Sequence, residues 1–228
     1  MEKTTSIIET LQADVNLNRA APEALAELAG HGRRVRFGRG EYVFQAGDDS
    51  DFFYVVESGR IILSKEAPSG KVFTYLIAVR GMTLNAVTCF LERPRFFSAR
   101  VAQDATVIAI PGRVFKQWAL ANPEVATGIL NTMGELLDGA YSRIIDIIDE
   151  NAEKRIMNAL TMLSSRIGLT LPLTNNDVAE LTGVSRETAA RTISRLQEAG
   201  LVSKARGSIT ILDKSQLEEL STSTSFFL

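Results

Sequence analysis

Arg186, Glu187 and Arg191 lie within one short stretch and together carry base-reading chemistry. An arginine fork bonds guanine O6 and N7 at once, and a glutamate accepts from the N4 amine of cytosine. Arg195, Lys204 and Arg206 follow, and cations of this kind neutralise phosphates. Together with the hydroxyls of Thr174, Ser185 and Thr188 they are candidates for backbone contacts, leaving base readout to Arg186, Glu187 and Arg191. Between Gly183 and Gly207 the arginines and Lys204 face only Glu187 and Glu198, although the whole chain has a net charge of −2. The electrostatic signature of a nucleic-acid partner is therefore local.

These groups need a rigid element beneath them, and the local sequence supplies one. Thr174 is a good cap for a helix over 175–182 whose inward face carries Val178, Ala179 and Leu181. Gly183 ends it, Ser185 caps a second helix, and Gly200 is placed to stop that helix in the left-handed conformation. Along the second helix Ala189, Thr192, Ile193 and Leu196 share a face, so Arg186, Glu187, Ala190, Arg191 and Ser194 turn away from it. Charge alone would fit a solvated surface helix. Caps, glycine turn and spacing together describe a helix-turn-helix that reads double-stranded DNA. Beyond it, LVSKA and SITIL pair across Arg206-Gly207 as a two-stranded wing, and the end of the chain reads as a short helix and tail.

The run GVSRETAARTISRLQEAGLV resembles the helix-turn-helix of the cyclic-AMP receptor protein and fumarate-nitrate reduction regulator family. Its Ser185-Arg186-Glu187-Thr188 and Arg191 pattern matches the cyclic-AMP receptor branch, and the resemblance extends over nearly the whole chain. It implies a homodimeric transcription regulator that works with RNA polymerase on a pseudo-palindromic site with TGTGA-like half-sites. Such half-sites lie about one helical turn, roughly 34 Å, apart.

The rest of the chain fits that architecture. With 228 residues, 45% of them hydrophobic and 23% charged, there is room for more than one soluble domain. No apolar run reaches the roughly 20 residues that span a bilayer, and no secretory leader precedes the first helix, so a cytoplasmic protein without a membrane partner is expected. The single cysteine, Cys89, excludes an internal disulfide and an iron-sulfur cluster. His31 is the only histidine and sits between glycines as a surface residue, so neither a histidine metal cluster nor a catalytic triad can be assembled. No enzyme activity, catalytic residue or metal site is expected.

Residues 4–30 carry helical spacing, with Pro22 opening a short helix. From Arg33 to Ile110 short alternating runs (VRF, EYVF, FFYVV, RIILS, VFTYLIAV, SARVA, TVIAI) are split by Gly40, Gly47, Gly59, Gly70 and Gly81. They predict an antiparallel β-roll of the jelly-roll kind, which can enclose a small ligand. From Glu124 to Asp149 sustained helical spacing follows. Leu130, Met133, Leu137, Ala140, Ile144 and Ile147 make a seam for a second copy, while Ile129, Leu136, Ile145 and Ile148 lie off it and can meet the roll. A hinge falls near Asp149-Glu150-Asn151. The fold class is thus α+β: an arm and β-roll over 1–122, a dimerisation helix and hinge over 123–150, and a winged helix-turn-helix over 151–228.

The resemblance weakens where an effector should bind. Cyclic-nucleotide-binding members hold the ribose with Gly-Glu-Leu and the cyclic phosphate with Arg-Ser or Arg-Thr. Aligned on Gly81 and on Ser98-Ala99-Arg100-Val101, this chain offers Asn85-Ala86-Val87 and Phe97-Ser98 instead, and the Thr-Ser pair that meets adenine is matched by Ala140-Tyr141. Cyclic AMP is therefore not the expected effector. Leu84, Val87, Phe90, Phe97 and Tyr141 describe a more apolar ligand, with Asn85, Ser98 and one of Arg95 or Arg100 as polar anchors, unless these aromatics simply fill the roll. Arg95 also stands where a one-residue register change would let it replace the lost arginine. Three alternatives remain open: a haem-dependent gas sensor using Cys89, His31, a methionine or the N-terminal amine; a regulator with an empty roll, controlled by abundance; and a roll-shaped enzyme tethered to DNA, disfavoured by the lone histidine.

Overall fold

The computed structural model describes residues 2–84, 86–91, 93–149 and 151–221, with backbone alone for 2–6 and 146–149. It divides into two compact units, Met1–Leu136 and Leu137–Leu228.

In the first unit, helices α1 (Glu2–Gln12) and α2 (Pro22–Gly30) precede five strands, and Pro22 sits at the helix start, where a missing N–H leaves nothing unsatisfied. Strands β1 (Arg33–Phe37), β2 (Tyr42–Phe44), β3 (Phe52–Glu66), β4 (Val72–Ala78) and β5 (Ser98–Pro111) pair antiparallel in the order β1-β5-β3-β4, with β2 also on β5. This is the roll that the alternating runs predict. Its spine differs from the expectation: FFYVV and RIILS form one strand rather than two, and so do SARVA and TVIAI. The register between β3 and β5 shifts on either side of Ser58 and Arg60. Gly59 sits at the bend with φ +87°, where an added Cβ would lie 2.3 Å from the Asp104 carbonyl oxygen. A glycine bulge bends a ladder without ending it, so the roll curves while its pairing continues.

Alternation on β3 divides the apolar residues between two cores. Phe53 and Val55 join Leu11, Leu25, Leu28, Phe115, Val125 and Ile129 on the side covered by helices. Val56, Ile61 and Leu63 join Phe44, Leu84, Val101 and Val107 in a cluster built without helical residues. Phe53 stacks on Phe115 with ring centroids 3.6 Å apart. Helix α3 (Gly112–Ala121) carries Phe115 and Trp118, and Trp118 Nε1 donates to the Ala24 carbonyl at 2.8 Å. Helix α4 (Pro123–Asp149) begins in this unit, where Val125 and Ile129 are buried and Asn16 Nδ2 donates to Thr132 Oγ1 at 3.0 Å.

The second unit holds the remainder of α4, then α5 (Ala152–Ile167), β6 (Thr170–Leu171), α6 (Asn175–Thr182), α7 (Arg186–Glu198), β7 (Val202–Ala205), β8 (Ser208–Ile211) and α8 (Lys214–Ser221). Its core is Ile156, Leu160, Leu171, Val178, Ile193, Leu196, Ile209 and Leu217. Within it α4 lies against its neighbours: a Cβ at Gly139 would stand 3.7 Å from Met162 Sδ, and Arg143 donates to the Leu181 carbonyl. The wing has three strands in the order β6-β8-β7, one more than the two expected. Ile145, expected to meet the roll, is 57% exposed and falls in the second unit. Leu136 is half-buried, and the side chains of Ile147, expected in the seam, and Ile148 lie outside the described residues, as does the tail over 222–228. Among the described residues no helix is long and apolar enough to cross a membrane.

Candidate nucleic-acid interface

Two short helices hold the base-reading residues, and their ends are fixed by the residues the sequence singles out. Thr174 Oγ1 accepts from the Asp177 amide at 3.2 Å while Asp177 Oδ2 accepts from the Thr174 amide at 2.7 Å, a reciprocal capping box. Gly183 ends α6 at φ 68°, in the left-handed region. Ser185 Oγ then accepts from the Thr188 amide at 3.0 Å and starts α7. Ala189, Thr192, Ile193 and Leu196 are buried beneath α7, whereas Arg186, Glu187, Arg191 and Ser194 are exposed on its opposite side. The inferred reading face is therefore presented on a helix fixed by its caps and its buried side.

Beside it runs a groove of about 320 Å³ bordered by Thr174, Asn175, Asn176, Arg186, Lys204 and Arg206. Three of these are cations, and the positive end of α6 opens into the same space, an arrangement that favours phosphate. Lys204 and Arg206 sit on the hairpin whose closing pair is Ala205 and Ser208, with Gly207 at φ 76° making the tight turn. Asn175 and Asn176 border the groove without being among the residues expected at it. Their signal was positional, since a residue directly after a cap presents its amide outward. Asn175 Oδ1 is buried without a hydrogen-bond partner.

Four of the expected backbone contacts, Thr174, Ser185, Thr188 and Arg195, already have partners within the chain. The Thr174 hydroxyl serves the capping box, and Arg195 Nη1 donates to Glu153 Oε2 of α5 at 2.9 Å instead of standing free. Ser185 and Thr188 also share a hydroxyl contact at 2.8 Å.

The residues expected to line an effector pocket do not form one set. Leu84 and Phe97 belong to the strand-built core, with Phe97 stacked on Tyr75 at 4.5 Å between centroids. Phe90 packs instead on the helix-covered core, its ring 6.1 Å from that of Phe115 and edge-on to it. All three lie in the connection between β4 and β5, where Phe90 closes the 3-10 turn and faces the helices, a division that apolar composition alone does not reveal. Val87 lies in the 3-10 turn Ala86–Phe90, and the Ser98 hydroxyl accepts from the Ala46 amide at 2.9 Å. Tyr141 is 54% exposed and falls in the second unit, and Asn85 lies outside the described residues.

What the roll does bury is Arg95, at 3% exposure. Its guanidinium carbon stands 3.9 Å from the Phe44 ring centroid and 5.6 Å from that of Tyr54. Nη1 donates to Thr88 Oγ1 at 3.3 Å and Nη2 to the Phe52 carbonyl, while Nε is buried without a partner. Burial lowers the Arg95 pKa, an effect that the neighbouring Cys89 and Tyr54 oppose. Burial likewise pushes the Cys89 thiol up to about 11 despite the Arg95 charge. That thiol stays protonated near neutral pH, which makes it a poor nucleophile and a poor thiolate ligand. His31 is exposed at the end of α2.

A strand-built roll, a long helix with apolar residues exposed along it, and a capped helix-turn-helix with a basic groove define a DNA-binding transcription regulator. Comparison with known proteins gives the same result. Residues 34–122 match the cyclic nucleotide-binding domain and residues 154–220 the Crp-like helix-turn-helix domain. The chain is 25% identical over 204 residues to a CRP-like cAMP-activated global transcriptional regulator of Mycobacterium tuberculosis, covering 86% of this chain and 91% of that one. It is also 25% identical over 201 residues to the cyclic AMP receptor protein of Thermus thermophilus, covering 88% and 93%. In fold it is similar to FixK2 of Bradyrhizobium japonicum, with a TM-score of 0.74 at 16% identity over 85% of this chain and 99% of that one. The chain belongs to the cyclic-AMP receptor protein and fumarate-nitrate reduction regulator family.

Proposed function

We propose that this regulator acts as a homodimer in which a small effector in the roll, other than cyclic AMP, reorients two recognition helices on a pseudo-palindromic TGTGA-like site. The observation that carries the reading is the exposed face of α7, with Arg186, Glu187 and Arg191 turned away from the buried Ala189, Ile193 and Leu196. Lys204 and Arg206, with Ser185, Thr188 and the start of α6, hold the backbone on either side.

Dimerisation is supported by α4. Leu130, Met133, Leu137, Tyr141 and Ile144 are 39–66% exposed in the single chain, and Ala140 is exposed between them. An apolar seam of this length on one helix suits a second copy of itself. The working parts then divide as the roll with its arm over 1–122, the dimerisation helix over 123–150 and the DNA-binding unit over 151–228, with RNA polymerase as a further partner. A cyclic nucleotide is disfavoured because the position aligned with the family's phosphate arginine holds Phe97, stacked on Tyr75.

The experiment is a pair of titrations on the full chain. Fluorescence anisotropy should show tight binding to a TGTGA-palindrome duplex and weak binding to a scrambled one at the same salt. Calorimetry with cyclic AMP and cyclic GMP should show no micromolar binding. Equal affinity for the two duplexes would remove the site assignment, and micromolar cyclic-nucleotide binding would remove the effector assignment.

A further inference from the structure

Arg95 is the one cation of the roll that combines near-complete burial with a donor left unsatisfied among the described residues. It is 3% exposed, and its Nε is buried without a partner. No carboxylate among the described residues is paired with it; Asp48 and Asp51 act on it only through the longer-range field. A buried guanidinium is retained at a cost unless a counter-charge completes it, and an orphaned donor beside it marks where that counter-charge would sit.

We propose that Arg95 anchors a small planar oxyanion in the roll, a carboxylate or an inorganic ion of similar size. This rests on the effector-responsive reading above and names the chemical class of the effector. The geometry sets the approach. One face of the guanidinium is covered by Phe44 at 3.9 Å, so the anion meets its edge. Nη1 and Nη2 are held by Thr88 Oγ1 and the Phe52 carbonyl, which aims the fork and leaves the Nε edge for the ligand. Two parallel N–H bonds from that edge match the two oxygens of a carboxylate. Phe44 and Tyr54 lie against the guanidinium and the side chain is 3% exposed, which keeps the ligand small. Phe97, two residues after Arg95, holds the position aligned with the family's phosphate arginine and stacks on Tyr75, so Arg95 is the cation left to meet an anion there.

The test uses the full chain as wild type, Arg95→Gln and Arg95→Lys. Melting temperature and calorimetric titration are followed with sodium acetate, sodium benzoate and sodium nitrate, against sodium chloride at equal ionic strength. Wild type should show a saturable rise in melting temperature with at least one oxyanion and none with chloride, because a ligand bound only by the folded state stabilises it. Arg95→Gln should lose the response, and Arg95→Lys should bind at least ~10-fold more weakly, since lysine keeps the charge but not the fork. A response to acetate or benzoate identifies a carboxylic acid, and one to nitrate alone an inorganic ion. Wild type without an oxyanion-specific rise, or Arg95→Gln with the same rise, would overturn the proposal. Should Arg95→Gln not fold, equal affinity of Arg95→Lys and wild type would overturn it as well. DNA affinity with and without the bound anion tests the underlying reading separately: anion binding with no change in DNA affinity keeps the site but removes its role as effector.

Discussion

Arg195 Nη1 donates to Glu153 Oε2 at 2.9 Å, so the last turn of α7 is tied to the first turn of α5. Both side chains are substantially exposed, at 63% and 33%, and a pair in that setting contributes at most about 1 kcal/mol to stability. Its larger effect falls on DNA, because it removes one cation from those available to phosphate. Glu153→Gln should therefore strengthen DNA binding and steepen the salt dependence by about one phosphate's worth, a slope change near −0.9. Anisotropy titrations between low and moderate salt check this. An unchanged affinity and slope would show that Arg195 is free to reach DNA already.

At the bend of the roll, Gly59→Ala should destabilise the chain by about 1 to 2 kcal/mol from backbone conformation alone, and by more once the 2.3 Å approach to Asp104 is relieved. Chemical unfolding followed by circular dichroism measures it. A loss under about 0.5 kcal/mol, typical of an ordinary surface change, would mean that the bulge is not required.

The helix-turn-helix was legible because its signals are local: Thr174, Gly183, Ser185, Gly200 and Gly207 each act within a few residues of themselves. The roll was legible as alternation, but its two long strands were not: Gly59 inside β3 reads as a break when it is in fact a bulge, and the polar Gln103-Asp104 pair inside β5 reads as a turn. β6 pairs only Thr170 and Leu171 with β8, too short a segment for any periodicity. Arg95 ran against hydropathy, for nothing in the sequence says that an arginine is buried over Phe44, a residue far from it in the chain. Leu84, Phe90 and Phe97 all lie outside the strands, so no periodicity in the sequence assigns them to one core or the other.

The exposed stripe on α4 leads to a prediction that separates association from folding. Leu137 and Ile144 are 51% and 52% exposed in the single chain, so their truncation should barely change monomer unfolding. In a two-fold pair each change is repeated, and each buried truncation costs about 2 to 5 kcal/mol. Sedimentation should therefore show Leu137→Ala and Ile144→Ala weakening the dimer sharply. A wild-type chain that stays monomeric at micromolar concentration, with or without DNA, would contradict this.

Cys89 gives a pH dependence of known sign. Burial raises its thiol from 9.0 to about 11, so the folded chain holds the proton more tightly than the unfolded one. The stability this group contributes is complete below pH 9 and is lost as pH rises through about 11. Wild type should lose stability relative to Cys89→Ala across that window, and thiol reagents should react slowly at pH 8. Parallel pH profiles for the two proteins, or rapid labelling of the folded chain, would show that the thiol is not desolvated.

The central claim is that Arg186, Glu187 and Arg191 read bases while the wing holds the backbone, and a binding-site selection on wild type, Arg186→Ala, Arg191→Ala and Lys204→Ala tests it most directly. Each bidentate arginine contact discriminates by about 1 to 3 kcal/mol. The two arginine variants should therefore each lose preference at one guanine of a TGTGA-like half-site. Lys204→Ala should weaken binding to all sequences alike and reduce the salt slope by about one. A selected site that is unchanged in both arginine variants would contradict the account.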